Sequence, residues 1–182
     1  MAAAAVWEFD SSDGELLVTT GVTGPAAKMG HRLTLTMAWQ ATVRWADDEP
    51  AELAVTVDVG SLEVLRGEGG VKGLAGPEKA LARSNALKIL DADKFPQIRY
   101  QSADITRSDD GYRLGGTLEI RDTARPHTVE LHVDELAEAW RMSGETVVRH
   151  SDYGLKPYSM MMGAMKVSDE VTVSFAARRA AG

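Results

Sequence analysis

The hydrophobic pattern is clearest between Gly30 and Trp45. After His31, the odd positions Leu33, Leu35, Met37, Trp39, Ala41, Val43 and Trp45 are apolar. The even positions Arg32, Thr34, Thr36, Ala38, Gln40, Thr42 and Arg44 are polar or small. Period two over this length means extended chain with one wet face and one dry face. A helix would scatter the same residues around its circumference. At about 3.3 Å per residue the run would reach roughly 50 Å, longer than an ordinary strand. The pattern therefore predicts a strand that curls, or one that bends near Met37-Ala38-Trp39 and acts as two. A long one-sided strand of this kind belongs to a sheet wrapped around an interior.

The rest of the chain supplies partners. Val6 to Asp10 and Glu15 to Val22 read as strands parted by the turn signal Asp13-Gly14. Thr23-Gly24-Pro25 ends the second, and Asp47-Asp48-Glu49-Pro50 is a polar turn. Leu53, Val55, Val57 and Val59 alternate with Ala54, Thr56 and Asp58. The glycine-rich run Arg66 to Gly73 fits neither the P-loop nor the dinucleotide fingerprint and is expected to be a flexible connection. Pro77 to about Leu90 is the one good helical segment, with Ala80, Leu87 and Leu90 as its expected inner stripe and Asp91 to Pro96 as its end. Period two returns at Ile98, Tyr100 and Ser102. Asp109-Asp110-Gly111 signals a hairpin, Leu118 and Ile120 mark the apolar face of the next strand, and Arg121 to Pro126 reads as a turn. Val129, Leu131 and Val133 alternate with Glu130 and His132; Ala139 to Val148 is a weaker strand; Val171, Val173 and Phe175 close the chain. The sum is eight or nine strands and one helix. One helix cannot cover both faces of such a sheet, so it must close into a barrel or pack as two layers, and the long strand favours the barrel. Around eight strands leaves an interior that side chains fill or that holds one slender ligand.

Composition narrows the function. The 182 residues suit one domain, residues 1–182. A net charge of −7 argues against a non-specific nucleic-acid binder. With no cysteine there is no disulfide framework and no thiolate chemistry. The opening Met1-Ala2-Ala3-Ala4-Ala5-Val6 lacks a basic region and a long apolar core, and no window approaches a membrane span. Cytoplasm is the expected location.

Five stretches, in order, resemble the YceI-like polyisoprenoid-binding family. They are Met29 to Thr34, Val57 to Val64, Leu90 to Ile98, Gly116 to Ile120 leading into Thr123 to Pro126, and Asp152 to Ser159. Each is weak alone; the ordered set covers nearly the whole chain. The resemblance implies a mainly β fold, a single antiparallel lipocalin-like barrel. It also implies binding of a long isoprenoid, such as a prenyl quinone or polyprenyl phosphate, inside it, without catalysis and without a covalent cofactor. The family usually has glycine where this chain has Asp122; aspartate tolerates a left-handed backbone better than most residues, so the turn is expected to survive.

The candidate ligand contacts follow. His31 shares the dry face with Leu33, Leu35, Met37 and Trp39 and sits at the strand's mouth, either bonded to backbone or facing a ligand head group. Tyr100 and Leu118 stand on apolar faces of later strands. Met160, Met161, Met162 and Met165 could plug the barrel end or form a pliable lid, with Lys156 and Tyr158 beside them for an anionic or quinone-like head. Arg149 and His150 share that ambiguity. Trp39, Trp45 and Trp140 read as wall or core. His127 and His132 are five apart in a strand and so face opposite sides; with His31 and His150 they form no metal-binding spacing. Two other readings compete with a carrier. One is an enzyme using His31 as acid or base, which lacks a second catalytic group. The other is a filled barrel acting through its surface, in a stress response or as a homodimer.

Overall fold

The computed structural model describes residues 5–70 and 74–180, and at Met161 the backbone alone. Ten strands and one long helix follow in order: β1 (Val6–Asp10), β2 (Gly14–Thr23), β3 (His31–Ala46), β4 (Glu49–Gly69), α1 (Gly76–Leu90), β5 (Gln97–Ser108), β6 (Gly111–Ile120), β7 (Thr123–Glu135), β8 (Ala139–Arg149), β9 (Ser159–Met160) and β10 (Met165–Ala180). Neighbours run β3-β2-β10-β8-β7-β6-β5-β4, and β4 pairs back with β3, so eight antiparallel strands close a barrel. β1 extends the line of β2: Val6–Asp10 face Arg44–Gln40, while Leu17–Thr19 face Thr36–Thr34. The mainly β barrel that the alternation predicts is the observed fold.

The ladder is irregular near Met37, where the length of the organising strand demanded a bend, and the slack is taken by its partner. Thr36 faces Glu63 and Ala38 faces Asp58, so β4 bulges out over Val59–Leu62. Ser61 fixes the bulge: its Oγ accepts the Ala38 N–H at 2.7 Å and donates to the Asp58 carbonyl at 2.6 Å. On the other flank the Ser11 Oγ accepts the Trp39 N–H at 2.9 Å. β3 therefore stays one strand of 16 residues.

Three local expectations need correction. Arg66 to Gly69 is not a loose connection; it belongs to β4 and faces Thr34 to His31. Glycine has no side chain to alternate, so the period was invisible there. Val71 to Gly73, the rest of that run, lies outside the described residues, as do Met1 to Ala4. Second, the turn after β6 is only Arg121-Asp122, and the left-handed residue is Arg121 (φ 55°). Its guanidinium lies 5.8 Å from the Phe95 ring centroid. Third, Thr123–Pro126 is already strand. Pro126 faces Thr117 of β6 and has no ladder partner on β8, where its missing N–H costs nothing. The Asp47-Asp48 turn has positive φ at both residues, 52° and 64°, the backbone a two-residue hairpin needs.

Helix α1 begins with Pro77 in its first turn and ends at Asp91, whose left-handed N–H reaches the carbonyls of Leu87 and Lys88. Leu87 and Leu90 pack inward as expected, but Ala80 is exposed. The inner stripe is Ala82, Ala86, Leu87, Ile89 and Leu90, while Glu78 and Leu81 border the mouth from the exposed edge of the helix. Arg83 ties the helix to the β4 bulge, donating from Nε to the Leu62 carbonyl and from Nη2 to the Gly60 carbonyl, both at 2.8 Å.

The two barrel ends differ. Strand ends near Trp7, Trp45 and Trp140 pack into an aromatic plug with ring centroids 4.6 to 5.7 Å apart, and the Arg179 guanidinium sits 4.6 Å from the Trp7 ring. The opposite end carries α1 and the methionine-rich segment. Replacing Arg83 with leucine should leave the barrel strands intact while loosening α1. With roughly 1–2 kcal/mol lost from two charge-assisted bonds, hydrogen exchange of α1 amides should speed up about tenfold. Unchanged exchange would show that the helix is held by packing alone.

Candidate functional site

A cavity of about 650 Å³ runs along the barrel axis. Leu33, Leu35, Met37, Trp39, Ala41 and Val43 of β3 all face it. Ten residues of a strand tilted about 40° cover roughly 25 Å of axis, so the space is long and slender. Phe9 borders its lower end, above the aromatic plug; Met29, Met160 and Met165 border its mouth. The volume lies within the usual range for a small-molecule pocket, and the walls are leucine, valine, isoleucine, methionine and phenylalanine with few polar groups. A filled barrel is not what the described residues form.

One notch in the wall is polar. The Tyr100 side chain crosses β6 at Gly116, where a Cβ would come within 2.6 Å of the ring, and its hydroxyl donates to the His127 carbonyl at 2.8 Å. His127 itself meets the Thr146 hydroxyl through Nε2 at 2.7 Å. That side-chain contact spans a place where the sheet parts. The β7–β8 ladder runs only from Leu131–Glu135 to Gly144–Trp140; above it Thr123–Glu130 has no bridge to β8. Arg125 closes the far end by donating to the Asp152 carbonyl at 3.3 Å. Glu145 points outward in the alternation of β8 and yet borders the cavity at this slit. Burial pushes the Tyr100 phenol up to about 12. Burial also holds the His127 imidazole below its ordinary value, against a weaker opposing pull from Asp152. Both are thus neutral near pH 7, and the notch is a hydrogen-bonding site without charge.

His31 is half-buried at the mouth, its ring so close over Gly70 that a Cβ there would lie 2.9 Å from Nε2. Leu33, Leu35, Met37, Trp39, Tyr100, Leu118, Tyr158 and Met160 also line the space. Two candidates fall outside the lining. Lys156 is exposed, the outward neighbour of buried Leu155. Met162 is wholly exposed, because a left-handed backbone (φ 56°) turns its side chain away from the barrel. The side chain of Met161 lies outside the described residues. Met165 stands at the mouth as expected, and Met29 and Lys166 join it there. His150 borders the cavity with Nδ1 donating to the Asp169 carbonyl at 2.8 Å, while Arg149 faces out and pairs with Glu170 at 3.9 Å.

His127 was legible as a wall residue, since His127, Val129 and Leu131 share one face of a period-two strand; only its role as a possible metal ligand had drawn notice. His132 does face the other side, where contact with Asp110, 3.1 Å away, and with Asp134 raises its pKa. Among the described residues no three metal-capable side chains cluster, and no helix is long and apolar enough to cross a membrane.

Comparison with known proteins agrees with this architecture. No curated protein matches the chain in sequence. The crystal structure of Burkholderia cenocepacia BcnA superposes with a TM-score of 0.67 at 16% identity, over 91% of this chain and 96% of that one. The Campylobacter jejuni YCEI protein superposes with a TM-score of 0.56 at 11% identity, over 100% of this chain and 88% of that one. At such identities the likeness speaks for the fold alone. The YceI-like domain model matches residues 7–178, so the chain belongs to the YceI-like family.

Proposed function

We propose that this protein binds and carries one long apolar chain, of the prenyl quinone or polyprenyl phosphate type, along the barrel axis. The observation that carries the reading is the slender hollow lined by the dry face of β3 from Leu33 to Val43. The tail lies toward Phe9, and the polar end stays at the mouth near His31, Tyr158 and Lys166. The Tyr100–His127–Thr146 notch offers one uncharged contact along the way, suited to a carbonyl or hydroxyl. Carriage is favoured over catalysis because three of the polar groups on the channel wall are committed to backbone carbonyls. Trp39 donates to the Gly14 carbonyl at 3.2 Å, Tyr100 to that of His127 and His150 to that of Asp169. Groups so engaged hold the barrel together and are poor proton carriers.

Mass spectrometry of an organic extract should find a prenyl lipid, and the delipidated protein should take up a prenyl quinone in titration. Leu118→Trp, which places an indole in the channel, should weaken that uptake at least tenfold with little change in thermal stability, since the bulk enters empty space. Absence of both extracted lipid and uptake would defeat the reading, as would unchanged uptake by a folded Leu118→Trp variant.

His127 gives a second measurement. Because burial lowers its folded pKa below the unfolded 6.5, the unfolded chain takes up the proton first as pH falls. This contribution to stability is whole above about 6.5 and is lost as pH drops through 6.5 toward the folded value. Urea unfolding followed from about pH 8 to 5 should therefore show a decline that His127→Gln makes shallower. A bound tail excludes more water, so the NMR-titrated pKa of His127 should be lower in loaded than in delipidated protein.

A further inference from the structure

The mouth of the barrel has a chemistry that the channel does not explain. Seven large apolar residues are markedly exposed among the described ones, and four of them, Met29, Leu81, Met160 and Met162, ring the mouth. Met162 is the extreme case: it is fully exposed on a left-handed backbone that only a turn would ask of a methionine. The lysines gather at the same end. The six described lysines are Lys28 beside Met29, Lys79 and Lys88 on α1, Lys94 just after it, and Lys156 and Lys166 flanking Met160 and Met162. Every ion pair among the described residues is made by arginine or histidine, and none by lysine. Several rim carboxylates are already engaged: Glu68 by Arg66, Glu170 by Arg149, and Asp169 by Ser151. Glu78 on the helix face, Asp91 and Asp93 beside Lys94, and Asp122 and Asp152 in nearby turns are the acidic counterweight at this end.

The plugged end is the reverse. Among the described residues it has no lysine, and beside Arg44, Arg107, Arg178 and Arg179 its turns carry Asp10 and Asp13, Asp47-Asp48-Glu49, Asp109-Asp110 and Asp134-Glu135. A chain of net charge −7 therefore keeps its six described lysines at one end of its axis and much of its carboxylate excess at the other. Such a molecule turns its mouth toward an anionic plane and its plug away from it.

From this we infer that the mouth is a docking surface for the anionic face of a phospholipid bilayer. The exposed methionines and Leu81 enter the headgroup boundary, the flexible thioethers adapting to it. The lysines lie along the plane with their stems on apolar surface and their ammonium groups on lipid phosphates. The patch is continuous with the channel, so a docked molecule opens its hollow onto the acyl layer without crossing water. The cargo in this picture rests on the carrier reading; the surface does not.

The test uses the full chain and vesicles of phosphatidylglycerol mixed with phosphatidylcholine, against vesicles of phosphatidylcholine alone. Cosedimentation should require the anionic lipid and weaken as salt rises. Each lysine removed should cost about fivefold in partitioning, so Lys28→Gln with Lys156→Gln should lose about twentyfold. Met162→Ser should lose about tenfold. Neither variant lines the channel, and both should take up a prenyl quinone in vesicle-free solution as the parent does. Equal binding to neutral and anionic vesicles, or no binding by protein that still takes up the quinone, overturns the docking surface and leaves the carrier reading standing. Charge-dependent docking by protein that takes up neither a prenyl quinone nor a polyprenyl phosphate, and yields no lipid on extraction, supports the surface and ends the carrier reading instead. If sedimentation velocity shows a dimer that Met162→Ser dissociates, with no vesicle binding in either form, a second copy covers the rim and the inference fails.

Discussion

A sheet with one apolar face and a single helix to cover it must turn that face upon itself. The ladder between β3 and β4 is where this constraint is met. It runs from Ala46 opposite Glu49 to His31 opposite Gly69, and it makes the first long hairpin also the seam of the barrel. Closure removes both sheet edges and buries the dry faces together. It also explains why β4 carries the bulge at Val59–Leu62. A strand that curls needs extra residues on its outer partner, and the Ser61 and Asp58 bonds hold those residues in one shape.

Closure decides that there is an inside, and the residues at each end decide what the inside is for. At the plug, Trp7, Trp45 and Trp140 meet edge to face or tilted, and Arg179 caps them, so that end is packed by rigid rings. The indole N–H of Trp45 is buried there without a partner, a cost of about 1–3 kcal/mol that the stacking must offset. At the mouth the packing is done by methionines, a short two-stranded pairing and a helix tied by Arg83. A buried cluster of Ile120, Val148, Tyr153 and Leu155 holds one side of this end, and the flexible methionines stand on the open side. The channel is thus stoppered at its rigid end and accessible at its soft one.

Which parts were legible follows from what period two reports. It says which side of a strand is dry, and there the reading holds residue by residue, from Leu33 to Val43 and again at Tyr100 and Leu118. It is silent where side chains are missing, so the glycines of β4 hid a strand. It cannot assign a left-handed residue between two adjacent positions, and the strain fell on Arg121 and not on Asp122. On the helix, Ala80, Leu81 and Ala82 are all apolar; only the direction of the axis chooses Ala82 to face in. Nor does dryness say whether opposing walls touch. That depends on whether residues such as Val57, Leu114 and Val173 are large enough to meet across eight strands, and they are not. His127 was readable from its neighbours Val129 and Leu131, but a histidine invites a search for metals first.

The apolar wall of β3 and the uncharged Tyr100–His127 notch bear on how a chain molecule would be held. On the carrier reading, affinity comes from apolar area, at about 0.8 kcal/mol for each buried CH₂, and grows with tail length until the roughly 25 Å of axis is used. Beyond that length further carbons remain at the mouth and gain nothing from the walls. Selection among long tails therefore passes to the rim, where His31, Tyr158 and Lys166 meet whatever the tail is attached to. The wall sets a minimum length and the rim reads the head, so the two ends of one ligand are recognised by two different kinds of chemistry in one barrel.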